Sequence, residues 1–489
     1  MRQAKWKIVR RPLHAVVWFA GLALMLTEAQ GGVQEERRPA AMPELTVTGT
    51  RLRRDLPQDA FPLTVIDRDQ LNVSGATFLG EYVQQLPFVT GSPLNSSTGA
   101  RGQGGQLSRG INTVELRGLG PERTLVLVNG RRMLRGGNGA SGVVDLNMIP
   151  MALVERIEIL KAGASVQYGA DAVAGVVNVI TRKATEGLEF AARGGATSEW
   201  DGENWTASAV YGARGERGQF MIGFEYADQE AVGKGEREFS RVRRTFSGAD
   251  NRITFDGSSA PPQGNFQTSL GRLTLIENED GREPSDFRPY IGDNTNPNTD
   301  RFNFNPFEDL QQPSERVSIF SEWRYGFSQK LNVFSEILFH DRDSRTQLAP
   351  LPFFTTRETD VVVSADNVYN PFGERLTDVR RRLVEAGPRQ FVQDNQAWRV
   401  AVGAHGLLAG WFWDVSMVRG RNVTDQSQMG DLLDSRLRDA LGPSFVDVDG
   451  NAVCGTQSEP ITRLCPSQPL WRRRQHHARD AGLRRRRSC

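Results

Sequence analysis

From residue 187 onward, polar positions alternate with apolar or aromatic ones in segments of roughly ten residues. Stretches 205–212, 220–226, 317–325, 331–339, 398–404 and 411–418 all read this way. Long polar stretches rich in Asn, Asp, Gly and Pro, such as 277–306, separate them. Alternation of this kind predicts antiparallel strands with two unlike faces. A closed transmembrane β-barrel has this pattern, because closure pairs every backbone group in lipid and Trp and Tyr gather at the strand ends. A soluble β-sandwich or a propeller shares it. No repeat of 20–50 residues is visible, which counts against a propeller.

Residues 55–183 follow a different pattern, that of a compact α+β domain. A strand is expected over 61–66. A helix is expected over 68–86, with Leu71, Phe78, Leu79, Tyr82, Val83 and Leu86 near helical spacing. Further strands are expected at 114–116, 124–128, 154–160 and 176–181, and Asn129-Gly130 is a hairpin signal. Residues 30–54 are polar and irregular apart from the β-prone 45–48, and read as a flexible arm.

The first 29 residues carry a basic start and an apolar run over 15–26, the length of a signal-peptide core and too short to span a bilayer. The net charge of +2 hides an acidic body, since basic residues gather at 1–29 and 471–489. A nucleic-acid binder would gather its cations on a folded face, so nucleic acid is excluded as a partner. Export leads to an oxidising compartment, where Cys454 and Cys465 are a possible disulfide and Cys489 is left over. No Ser/His/Asp or Cys/His set appears, His340 and His405 lie far apart, and the Gly-rich stretch 99–110 lacks a phosphate-loop ending. No catalysis, metal site or cofactor is expected. Asp447 to Asn451 reads as a turn rather than a calcium loop.

Three runs carry a family resemblance. They are NTVELRGLG at 112–120 followed by TLVLVNGR at 124–131, VERIEILKAGASVQYGADAVAGVVN at 154–178 extending to ITRK at 180–183, and ELTVTGTR at 44–51. The first two resemble the plug domain of TonB-dependent outer-membrane receptors. The third is similar to that family's TonB box, here Glu44, Leu45, Thr46, Val47, Thr48 and Gly49. DNVYNPFG at 366–373 is also common in barrel loops of large members. The matching plug-motif residues are Arg117, Gly118, Asn129, Gly130, Glu155, Arg156, Glu158, Lys161, Tyr168, Gly169, Gly175 and Asn178. An extended box can add to the edge of a partner sheet, the physical basis for pairing with TonB.

The resemblance implies a signal peptide at 1–29, a periplasmic arm with the TonB box at 30–54 and a plug at 55–183. An antiparallel transmembrane β-barrel would follow over 184–470, with an Arg-rich aberrant tail at 471–489. It implies an outer-membrane importer energised through TonB by an inner-membrane proton-driven motor, with a ligand of the siderophore, glycan or cobalamin class and outer-membrane lipid around the wall. The span from 184 to 470 is too short for the family's usual 22 strands with their loops, so an incomplete barrel of about 8–10 strands is expected. With the tail, this makes a truncated or frameshifted product the expectation. The alternative is a non-transporting protein that only binds ligand or TonB. Charges of the plug motifs, Arg117, Arg131 and Arg156 among Glu115, Glu155 and Glu158, are candidate anchors to the barrel wall.

Overall fold

The structure, a computed structural model, describes residues 63–89, 110–136, 142–161, 165–183, 186–248, 251–357 and 361–461. The signal peptide, residues 44–49, Cys465 and the Arg-rich tail fall outside them. Among the described residues no helix is long and apolar enough to cross a membrane.

The first part is an inner domain built on five strands: β1 (Leu63–Asp67), β2 (Thr124–Val128), β3 (Arg131–Arg132), β4 (Val154–Leu160) and β5 (Gly175–Thr181). They form one sheet in the order β1-β4-β5-β2-β3, with β2 and β5 parallel and the other neighbours antiparallel. Every residue of β2 is buried, as expected for a strand covered on both faces. Asn129 and Gly130 both adopt positive φ, the geometry a two-residue hairpin needs.

Two expectations for this domain are corrected. The helix over 68–86 is two short helices, α1 (Arg68–Val73) and α2 (Leu79–Gln84). Gly75 breaks it at φ +71, and the Glu81 carboxylate accepts the N–H groups of Thr77 and Phe78 to start α2 afresh. Residues 114–116 form no strand, only a single bridge from Leu116 to Val89. Their backbone is engaged elsewhere: the Leu116 N–H donates to Thr124 Oγ1, and the neighbouring Asn112 N–H donates to Asp145 Oδ1.

The second part is a wall of seven antiparallel strands: β6 (Gly187–Gly195), β7 (Asn204–Arg214), β8 (Gly218–Gln229), β9 (Ser314–Ser328), β10 (Leu331–Leu348), β11 (Arg389–Leu408) and β12 (Trp411–Met429). Each strand pairs with its sequence neighbours. Turns 215–217, 329–330 and 409–410 close one end, and the longer connections 196–203, 230–313 and 349–388 lie at the other. This asymmetry of short turns and long loops is that of outer-membrane barrels.

The two faces of the wall reverse the rule for soluble proteins. On β9, Ser314, Arg316, Ser318, Phe320 and Glu322 are buried against the inner domain, while Val317, Ile319 and Trp323 face outward. Ile222, Phe224, Ile337, Trp398, Val402 and Met417 are likewise exposed. Apolar and aromatic side chains on the outer face of several neighbouring strands suit an apolar solvent. The two domains share one core, in which Leu79, Val83, Val126, Ile157 and Val177 pack with Val210, Met221, Phe320, Leu338 and Ala397 of the wall.

Seven wall strands among the described residues are fewer than the eight to ten expected, because the remaining β-prone segments pair with one another. Phe287–Pro289, Gly271–Leu275, Asn265–Thr268, Val379–Arg382 and Pro352–Phe354 make a five-stranded canopy at the long-loop end. The canopy has its own core, formed by Phe266, Leu273, Phe287, Phe353 and Val379 with Leu437 and Leu441 of the helix Asp434–Leu441.

Beside the canopy, Asp309 starts a short strand (Asp309–Gln311) on Val232–Gly233 and accepts the Gln347 N–H at 2.9 Å. Burial pushes its carboxyl up to about 6 from the ordinary 3.8. A raised carboxyl weakens the fold where it must ionise, fully so above about pH 6, and the penalty is relieved as pH falls from 6 toward 4. Asp309→Asn is therefore expected to stabilise the protein at pH 7 by about 1–3 kcal/mol and to remove this gain on acidification. Unfolding at pH 5 and 7 checks it. An unchanged pH dependence would refute the assignment.

Candidate functional site

The seam between the inner domain and the wall is where polar chemistry concentrates. Towards the short-turn end, wall carboxylates grip the β2–β3 hairpin. Glu336 of β10 accepts Asn129 Nδ2 at 2.9 Å, lies 3.7 Å from Arg131 Nη1 and accepts Arg399 Nη1 at 3.2 Å. Arg131 Nη2 also donates to Asp414 of β12 at 3.2 Å, and its guanidinium lies 4.0 Å from the centre of the Phe334 ring. Glu322 of β9 accepts the Thr181 hydroxyl at 2.7 Å. Inside the domain the hairpin is braced by Asn178, whose Oδ1 accepts the Gly130 N–H at 2.9 Å, and by Asn129 Oδ1, which accepts the Thr181 N–H at 3.0 Å.

Farther along the wall two arginines point inward from directly opposed positions, Arg316 on β9 and Arg342 on β10. Arg316, fully buried, donates to Glu225 Oε1 at 2.5 Å and to the Asn147 carbonyl at 3.0 Å, and stacks 4.9 Å from the Phe78 ring. Glu225 in turn accepts the Ala152 N–H at 2.7 Å. Arg342 Nη1 stands 3.0 Å from Asp145 Oδ2, while Asp145 Oδ1 holds the Asn112 and Asn147 N–H groups. On the β6 side, Arg193 donates to the carbonyls of Asn72 and Ala76, and Arg182 forks onto Glu189. In a water-poor seam these charge-assisted bonds are strong and directional, and one can be exchanged for another.

The sequence-derived residues divide into two groups. Asn129 and Gly130 belong to the seam, and Asn178 braces it. Arg117, at φ +60, turns back into its own domain, where Nε and Nη2 donate to the Ala174 and Val173 carbonyls. Gly118 follows it, also at positive φ. Arg156 Nε donates to the fully buried Glu158 at 2.9 Å, and Asn178 Nδ2 lies 3.4 Å from the same carboxylate. Glu155 shares their strand β4. Lys161 lies over the Phe88 ring, and the Tyr168 carbonyl accepts Arg132 Nη2. Gly169, within the connection between β4 and β5, and Gly175, which opens β5, take positive φ. Of the three arginines named as candidate wall anchors, Arg131 reaches the wall at Glu336 and Asp414. Arg117 and Arg156 also make bonds within the inner domain.

Sequence reading missed Glu225, Arg316, Glu322, Glu336, Arg342, Arg399 and Asp414. Their signal was present: each is a charge inside an alternating strand. Alternation alone does not say which face is the wet one. Cys454 is buried and disulfide-bonded. His340 is fully buried on β10 with Nδ1 3.4 Å from Ser318 Oγ, and among the described residues no group of metal-ligating side chains is assembled.

Residues 56–176 match the family model described as TonB-dependent Receptor Plug Domain. Among solved structures the chain is similar to the ferric enterobactin receptor PfeA of Pseudomonas aeruginosa, in a mutant form, at 15% identity over 75% of this chain and 49% of that one, with a TM-score of 0.38. It is similar to the siderophore receptor PirA of Acinetobacter baumannii at 15% identity over 75% and 48%, TM-score 0.31. The ferric citrate transporter FecA in its unliganded form matches at 14% identity over 76% and 48%, TM-score 0.39. The chain thus spans about half the length of these proteins. The inner domain is a TonB-dependent receptor plug, and the strands after it form a partial barrel wall.

Proposed function

We propose that this chain is an outer-membrane receptor for active, TonB-dependent uptake of a scarce ligand, with no catalysis of its own. The observation that carries the reading is the seam: a plug matching the family model, held to the inner face of a lipid-type wall by the ion pairs of Arg131 with Glu336 and Asp414 and of Arg342 with Asp145. Residues 44–49 are the segment we assign to TonB, because an extended β-prone stretch ahead of the plug can add to a partner sheet and deliver a pull. Exchange of bonds along the seam would let such a pull shift the plug without unfolding the wall.

Ferric siderophores are the ligand class we put first. The canopy presents Arg272, Arg288 and Arg380, each beside an aspartate, and a partly neutralised cationic surface favours an anionic iron chelate over a neutral glycan. Cobalamin remains the third class to test.

Cells expressing the chain should take up a labelled ferric siderophore only while the proton-motive force is intact, and deletion of residues 44–49 should abolish uptake while leaving surface binding unchanged. Binding that never leads to uptake, with or without the motor, would favour the non-transporting alternative.

A further inference from the structure

Within the connection that leaves β8, two strands, Arg244–Ser247 and Arg252–Phe255, pair only with each other. Phe246 stands directly opposite Ile253, and Arg244 opposite Phe255, so these four share one face. Phe246 is 60% and Ile253 69% exposed, and no acid lies on that face. Arg244 is exposed on it, Arg252 is exposed on the opposite face, and Arg241 is exposed just before the hairpin. The nearest described acids are Glu238, and Asp256, which accepts the Thr245 hydroxyl and lies 3.5 Å from Arg243. An isolated two-stranded hairpin is marginal in water, and an uncovered Phe–Ile pair makes it more so.

We propose that this hairpin is a membrane-surface anchor, laying Phe246 and Ile253 into the headgroup boundary of an anionic leaflet while its arginines meet the phosphates. The inference rests on the outer-membrane reading of the wall.

Three features argue for lipid as the occupant. The charge is complementary, with exposed arginines flanking apolar side chains, the composition that binds anionic bilayer surfaces. Bulky residues also project singly nearby, Phe239 at 75% and Trp200 at 88% exposed, in the manner of interfacial anchors rather than a flat protein interface. Arg237 fixes the Trp200 turn by pairing with Asp201 and donating to Thr197 Oγ1. The third feature is the rim itself. Asp228, Glu315, Asp343, Asp394 and Asp425 stand in one cross-strand row on the outer face near the long-loop end. That row repels phosphate, so anionic headgroups near the rim need a cationic partner, which the hairpin arginines supply.

The test uses the full chain reconstituted into phosphatidylcholine bilayers with or without phosphatidylglycerol, under limited trypsin. Cleavage at Arg241, Arg244 and Arg252 should be about tenfold slower or more in the anionic bilayer, and high salt should reverse this. Replacing both Phe246 and Ile253 by Ser should remove the protection. Protection of Arg419, exposed on the outer face of β12, reports insertion independently, so loss of the wall signal indicts the barrel reading and loss of the hairpin signal alone indicts the anchor. Equal cleavage in both bilayers, or equal protection by inorganic phosphate in solution, would overturn the proposal.

Discussion

Arg316→Ala is expected to destabilise the folded protein by about 3–5 kcal/mol, the range for breaking one side of a buried ion pair. The side chain is fully buried, bonds both Glu225 and the Asn147 carbonyl, and stacks on Phe78. Removing it leaves the buried Glu225 carboxylate without its counter-ion, still accepting the Ala152 N–H. The plug then loses the bond from β9 to its Asn147 carbonyl and the cation–π contact at Phe78. Replacing both partners, as in Arg316→Met with Glu225→Met, should recover much of the loss, because no uncompensated charge stays buried. Denaturant unfolding of the detergent-solubilised chain reads both. A cost below about 1 kcal/mol for Arg316→Ala would mean that Arg316 does not clamp the plug.

Gly175→Ala is the second large effect, at about 3 kcal/mol or more. Gly175 opens β5 at φ +138, a conformation that disfavours any side chain. An added Cβ would stand 2.5 Å from the Leu160 carbonyl oxygen and 2.7 Å from Leu116 Cδ1. Backbone strain of about 1–2 kcal/mol and overpacking of about 1–3 kcal/mol act together. Gly169→Ala is the control. That residue also has positive φ, +90, but nothing lies within 4 Å of the added carbon, so strain alone should act. The two variants should therefore differ by the packing contribution. Equal destabilisation would show that crowding at Leu160 is relieved by a shift of the strand.

Much of the plug was legible from residue pattern because its signals are local. Asn129-Gly130 makes the hairpin through its own backbone preference, and the buried runs of β2, β4 and β5 are apolar enough to be read directly. The helix over 68–86 was misread because periodicity continues across Gly75, while the break depends on the Glu81 carboxylate capping Thr77 and Phe78. The canopy was read as loops because its strands are three to five residues long and gain stability only from partners distant in sequence.

The sequence by itself determined the antiparallel wall, the plug and its motifs, since each rests on short-range periodicity or on a run of residues recognisable in isolation. Only the tertiary structure decided which face of each wall strand turns inward and which charges meet. Arg117 and Arg131 carry the same side chain in similar motifs, yet one caps a turn of its own domain and the other crosses to Glu336 and Asp414. The reason is physical: a strand of period two has two equivalent faces until another domain covers one of them. Ion pairs between residues two hundred positions apart exist only once that covering has taken place.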